Sequence, residues 1–404
     1  MPNQTIYVDP SYTAAITGKT HATTGEVLNY GVNAFAVLNE AVPALHSGDS
    51  LYINGLTSDI SVAVPVSLHL TDSTAPVLAV GPVAAETTAS GALDIAILGS
   101  TIAAGTSYLA GKLGTLDGSV SVLIEGSVLG DATYTGRPTP QFILAESCTF
   151  GSKTGSIAVT IRNSAIDEDI SLIHDSVIGT KAKPASITLT LDHVVASNDK
   201  WFWISNSKEP ESSYADVTFN VVDSRLGNNG TMGLAVHHDS GDGDALLGNV
   251  TYNLSGTYFS GNLYPVSTVR YKKPSVNTGV FTLNVTGGSS HVESIGGFDV
   301  ISIAAGASLS AVSLAGIGTV YVSGALRAPV IGANELHLLS GGTISGPVDL
   351  SGASVFAESG SMVVFDIAGV EADGDALFRD LSVFENIPDF TLSVSCFQEE
   401  GSYM

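Results

Sequence analysis

Four polar residues recur at the ends of short apolar runs: Glu146 in FILAES, Asp175 in SLIHDS, Asn206 in FWISNS and Asp239 in LAVHHDS. If these runs are successive strands of a stack, the four polar residues line up about 4.8 Å apart. His174, His237 and His238 stand beside them, and Arg270, Tyr271 and Lys272 follow one repeat further on. Carboxylates and imidazoles gathered in this way can move protons, and a pair of carboxyl groups can cleave a glycosidic bond. In such an enzyme Asp175, Asp239 or His237 is the acid or base, Arg270 or Lys272 pairs with a substrate carboxylate, and Trp201 or Trp203 stacks on a sugar. Binding without turnover draws on Glu146, His174, Trp201, Trp203, Asn206, His238, Tyr271 and Lys272. Ten of the 15 Lys and Arg, and both Trp, fall between residues 151 and 300, which points to the same region.

A simpler reading competes and is preferred. Each of the four polar residues is followed by serine, at Ser147, Ser176, Ser207 and Ser240. Asx and Ser side chains satisfy backbone groups at turns, so the stripe reads first as a turn ladder, second as a binding surface and third as a catalytic site. Asp239, Asp242 and Asp244, and separately Asp373 and Asp375, offer hard oxygens to calcium, but neither set has the spacing of an EF-hand or of the calcium-binding nonapeptide. A solvated acidic loop is the better description, and no cofactor is expected beyond this weak calcium option. His69, His193 and His337 lie in alternating strands and are expected at the surface rather than as ligands. The sequons at Asn229, Asn249, Asn253 and Asn284 arise readily from a Ser/Thr-rich strand pattern. Cys148 and Cys396 form no cluster of the metal or redox type, and Cys148 is expected to be a small core residue.

The elements that position these residues are strands of a repeat. SIAVTI, SITLTL, DVTFNV, NVTYNL and VFTLNV place Ile157, Ile187, Val217, Val250 and Val280 about 30 residues apart. A fixed period of this kind marks a solenoid, whose units bury their apolar faces by stacking. The polar stripe lies on a second run about fifteen residues after the first, which predicts two strands and two stacked parallel sheets per coil. From residue 296 the period shortens, with Val300, Val320, Leu336 and Val355 as equivalents. Leu377, Phe378, Leu381 and Phe384 then suggest a short helix. The expected organisation is a cap over 1–58, coils of about 30 residues over 59–295, and coils of 16–20 residues over 296–404. Within the cap, TIYVD and LYING read as strands. Phe35, Leu38, Val42 and Leu45 predict an amphipathic helix capped by Asn33, with Pro43 as its weak point.

TIYVDPSY, AFAVLNEAVPALHSGDSLYING and the repeats behind them resemble the opening of right-handed parallel β-helix proteins, a group that includes pectate-lyase-like enzymes, phage tailspikes and autotransporter-type adhesins. ISGPVDLSGASVFAESGS is similar to the low-complexity repeats of adhesin passengers. The resemblance implies an all-β, single-stranded right-handed parallel β-helix with an N-terminal α-helical cap, the hand agreeing with the strong bias of parallel crossovers. It also implies a non-enzymatic adhesin or stalk, with a carbohydrate-active enzyme or a glycan-binding tailspike-like protein as the alternative. The polygalacturonase-type Asp-Asp and Gly-His-Gly signatures are absent, and Asp192-His193 is too short a match to a lyase motif.

Composition agrees with an all-β chain. Across 404 residues there are 44 Gly, and only 13% of residues are charged. With 39 Asp and Glu against 15 Lys and Arg, the net charge of -24 disfavours nucleic acid and anionic membranes as partners. No run reaches the roughly 20 apolar residues of a membrane span. The opening MPNQTIYVD lacks the pattern of a secretory signal, so the expectation is a secreted or bacterial cell-surface protein exported by another route, or a piece of a longer polypeptide. Its expected partner is a host or environmental glycan or protein surface.

Overall fold

The computed structural model describes residues 3–81, 88–103, 107–111, 114–130, 141–146, 148–151, 154–174, 176–196, 202–205, 214–227, 234–237, 248–265, 279–345, 350, 352–365, 384–386 and 391–394. The chain divides into two compact units, one comprising 1–216 with 236–247 and 274–277, the other 217–235 with 248–273 and 278–404. Strand follows strand throughout. Among the described residues, antiparallel contacts are confined to the bridges Thr20↔Val27 and Thr180↔Lys183.

In the first unit the period-two pattern of the sequence becomes a solenoid-like stack. Ile157, Val159 and Ile161 of Ser156–Arg162 are buried between exposed or half-exposed neighbours. In parallel register they pair with Val120, Val122 and Ile124 of the coil before and with Ile187, Leu189 and Leu191 of the coil after. A slip of one residue would turn each of these apolar rows to solvent, which fixes the register. Leu93 pairs with Val120 and Val120 with Ile157, so a coil holds 27 residues in one place and 37 in another, with the difference taken up between strands.

Each coil makes up to four strands rather than two. Leu93–Leu98, Thr101–Ile102, Ser107–Gly111 and Gly114–Asp117 pair respectively with Val120–Glu125, Val128–Gly130, Gln141–Glu146 and Cys148–Phe150. The two- and three-residue strands were hidden because so short a run has no readable period.

A ladder of serines fills the first corner. Asp72, Gly99, Gly126, Asn163 and His193 all have positive φ, between 46 and 58°, a region in which Gly, Asn, Asp and His are the most readily accommodated residues. The residue that follows is Ser73, Ser100, Ser127 or Ser164 in four of these five coils. The backbone N–H groups of Ser73, Ser100 and Ser127 each donate at 3.1 Å to the hydroxyl of the next serine along the stack. Each hydroxyl in turn donates to the carbonyl two residues before it. All four serines are buried, so every hydroxyl satisfies a backbone group that water cannot reach.

The helical cap is not what forms at the N-terminal end. Ala34–Phe35 is a strand paired with Tyr7 and Val8, and the helix shrinks to Leu38–Ala41 followed by a 3-10 turn over Val42–Ala44. Val37 occupies the N-cap with no side-chain hydrogen bond, and Pro43 removes a donor where a longer helix needs one. Asn33 instead accepts from the backbone N–H of Asn29 at 2.7 Å and donates to the carbonyl of Val27 at 3.1 Å. Phe35, Leu38 and Leu45 are buried, so the apolar positions were legible and their backbone was not.

In the second unit the coils shorten. Val250 pairs with Phe281, Thr282 with Val300, Val300 with Thr319 and Thr319 with Glu335. Two equivalences move by one residue, Phe281 replacing Val280 and Ile301 replacing Val300 beside Val320. Val280 is accordingly 49% exposed. Ser308–Val322 turns a corner within one strand, its first part opposite Ser289–Gly296 and its last four residues opposite Val300–Ile303. Phe219 stacks on Tyr252 at 4.6 Å, and Phe298 meets Tyr252 edge-on at 5.5 Å. Burial pushes the Tyr252 phenol well above its ordinary range. Phe384, expected in a helix, opens the strand Phe384–Asn386; Leu377, Phe378 and Leu381 lie outside the described residues.

Candidate functional site

The polar stripe is carried by one sheet, formed by Ile60–Val62, Leu78–Val80, Ser107–Gly111, Gln141–Glu146, Asp169–His174 and Phe202–Ser205 in turn. Val236 and His237 of Leu234–His237 belong to the same unit. Register pairs Glu146 with His174 rather than Asp175, and Ser171 with Trp203. The stripe is therefore offset by one residue from the alignment that the sequence suggested. Asp175, Trp201, Asn206, His238, Asp239, Asp242, Asp244, Arg270, Tyr271 and Lys272 lie outside the described residues, as do the side chains of Glu146, His174, Trp203 and His237.

What is described at the end of this stripe is structural. The buried Ser176 hydroxyl accepts from the backbone N–H of Cys148 at 3.1 Å, and Cys148 is itself buried. This is the turn-ladder arrangement, one coil of it, and the same device runs unbroken through Ser73 to Ser164. Its sequence signal was the pair formed by Asp, Gly or Asn and Ser directly after each first strand, at Asp72-Ser73, Gly99-Ser100, Gly126-Ser127 and Asn163-Ser164.

The sequons at Asn249, Asn253 and Asn284 are also absorbed by the fold, and Asn229 lies outside the described residues. Asn253 donates to Asn220 at 2.8 Å and Asn284 donates to Asn253 at 2.9 Å, forming an amide ladder across three coils. Asn249 accepts from the backbone N–H of Val280 at 2.9 Å. His193 takes the left-handed corner position and contacts Asp192 at 2.6 Å. His337 contacts Glu335 at 3.1 Å and stacks between Tyr321 and Phe356. Among the described residues no three His, Cys, Asp or Glu side chains gather as metal ligands, and no helix is long and apolar enough to cross a membrane.

The described residues do form a different site, at the N-terminal end of the first unit. Thr5–Val8, Ser50–Asn54 and Ser67–Thr71 lie side by side, with Tyr7 opposite Tyr52 and Tyr52 opposite His69. Their apolar neighbours Ile6, Val8, Leu51, Ile53, Leu68 and Leu70 are buried, and strand alternation turns the three rings to the other face. Tyr52 and His69 stack at 4.2 Å with their planes 8° apart, and Tyr7 lies 5.4 Å from Tyr52.

A short hairpin crosses this face. Leu28 donates to Lys19, His21 donates to Glu26, and Thr20 bridges Val27. The hairpin is tied to the first strand by side chains. The Tyr7 hydroxyl meets Thr24 Oγ1 at 2.5 Å and Glu26 at 3.2 Å, the Thr5 hydroxyl donates to Glu26 at 3.0 Å, and His21 Nδ1 meets Thr24 Oγ1 at 3.2 Å.

Hairpin and sheet enclose a pocket of about 410 Å³, walled by Tyr7, Tyr12, His21, Tyr52 and His69 with Asp9, Lys19, Asn54 and Thr71 among its polar groups. Asp9 accepts from Asn54 at 2.8 Å and from the backbone N–H of Ser11 at 2.8 Å. Burial works against its carboxylate, yet the Ser11 and Asn54 hydrogen bonds leave Asp9 below its ordinary value. Burial lowers His21 and His69, opposed by Glu26 and Asp94 respectively, so both imidazoles are neutral at pH 7. Burial raises the phenols of Tyr7, Tyr12 and Tyr52. The site was not legible in the sequence because His69 reads there as a surface position of an alternating strand. The signal was present in the outward positions of TIYVD, LYING and SLHLT, which read Tyr, Tyr and His.

Comparison of the chain with models of protein families, with curated proteins and with solved structures gives no match.

Proposed function

We propose that the chain is a right-handed parallel β-helix that serves as a non-enzymatic adhesin or stalk domain, secreted or held on a bacterial cell surface. One observation carries this reading. Polar side chains of the repeats are spent on the stack itself, in the buried serine ladder from Ser73 to Ser164 and the amide ladder from Asn220 to Asn284. A scaffold satisfied in this way keeps its form over many coils without a folded neighbour, which is what a spacer requires. The acidic balance adds solubility and discourages adhesion to anionic surfaces.

The alternative is a carbohydrate-active enzyme working at the stripe around Glu146, His174, Asp175 and Asp239. One assay separates the two. The protein is incubated with acidic and neutral polysaccharides, with and without calcium, and unsaturated and reducing ends are measured. The stalk reading expects neither above the blank. Release of either that is lost in Asp239→Ala overturns it.

A further inference from the structure

We infer that the pocket between the strands at Tyr7, Tyr52 and His69 and the hairpin at 18–28 binds one neutral pyranose ring. The volume of about 410 Å³ lies in the range of small-ligand sites and suits a single ring with part of its neighbour. Its walls disfavour anionic ligands. Asp9 is held ionised on one side and Glu26 stands behind Tyr7, with Lys19 the one cation among the lining residues, so a phosphate or carboxylate meets repulsion. Tyr52 and His69 stack on one another, which closes one face of each ring to a cation.

Sugar hydroxyls match these walls. Their oxygens suit Lys19, and their protons suit the Asp9 carboxylate and the neutral imidazoles. The C–H face of the ring packs on the half-buried Tyr12 and Ile16. The wall is set before any ligand arrives, because Tyr7, His21, Thr24 and Glu26 form one hydrogen-bonded network. This arrangement spares a ligand the cost of ordering the loop. The inference does not depend on the stalk reading, since it uses none of the residues of the stripe.

The test is saturation-transfer NMR and calorimetry of the whole chain against methyl glycosides of neutral pyranoses, with the matching disaccharides and a uronic acid as separate arms. At least one neutral glycoside should bind, with a Kd on the order of 1 mM. A tighter disaccharide marks a glycan end as the source, and an equal one marks the free sugar. His69→Ala and Asp9→Ala should each weaken binding at least about tenfold, whereas Tyr321→Ala, in the second unit, should not. Thr20→Trp, at an exposed position on the rim, should abolish binding with the strand signal in circular dichroism unchanged, which covers the case in which the other variants fail to fold. No binding by any neutral glycoside, preference for the uronic acid, or full binding by Thr20→Trp overturns the proposal.

Discussion

Buried hydroxyls carry much of the specificity of this fold at the scale of single residues. Ser100 accepts from the Ser73 N–H and donates to the Leu98 carbonyl, and it is 2% exposed. Ser100→Ala leaves the Ser73 N–H without its acceptor, so the variant should lose about 1–3 kcal/mol of stability in urea titration. Ser100→Thr keeps the oxygen and should recover part of it. The pocket histidines set a pH dependence. His21, packed against Tyr7, Tyr52, Thr24 and Glu26, and His69, packed against Tyr52 and near Asp94, both titrate below the ordinary 6.5. The unfolded chain therefore takes up protons first as the pH falls, and stability declines from about pH 6.5 downward. The Asp9 contribution persists until the pH falls below the ordinary carboxylate value of 3.8. Urea midpoints across this range should fall below pH 6.5 in the native chain, and less steeply in His69→Gln.

Strands and corners succeed where two local rules agree. The Ile/Val/Thr alternation of Ser156–Arg162 and Ala185–Asp192 was legible because each strand buries one face only, and its partner register follows from that. The polar stripe was legible as a row at strand ends, but the one-residue offset that sets Glu146 opposite His174 was not, since strand ends carry no burial signal. The N-terminal helix was legible in its apolar positions, and it is cut to Leu38–Ala41 just before the weak point expected at Pro43. Pro43 and the uncapped Val37 decide the outcome, and the two-residue strand Ala34–Phe35 pairs with Tyr7 and Val8 where the expected helix would have begun. The same local logic applies at Gly118, where a Cβ would run into the backbone carbonyl of Gly91 one coil before. Gly118→Ala should cost about 1–3 kcal/mol, read as a lower thermal midpoint with the strand signal retained below it.

For the molecule as a whole, the thirty-residue period proves to be an average over coils that differ in length and hold their strands in parallel register, interrupted locally by bulges. The serine and amide side chains described in the repeats serve the stack, the side chains of the acidic and histidine stripe lie outside the described residues, and the pocket that could recognise a ligand lies on the first strands of the stack, under the N-terminal hairpin. The central claim is the in-register parallel stack. Ala158 pairs with Thr188, and both lie on the solvent side of their strands. Adjacent parallel strands lie about 4.8 Å apart, within disulfide reach. Cysteines placed as Ala158→Cys with Thr188→Cys should oxidise to an intramolecular disulfide in the native protein. Ala158→Cys with Ile187→Cys, one residue off and facing the core, should not. Cross-linking of the second pair in preference to the first would contradict the register on which the whole account rests.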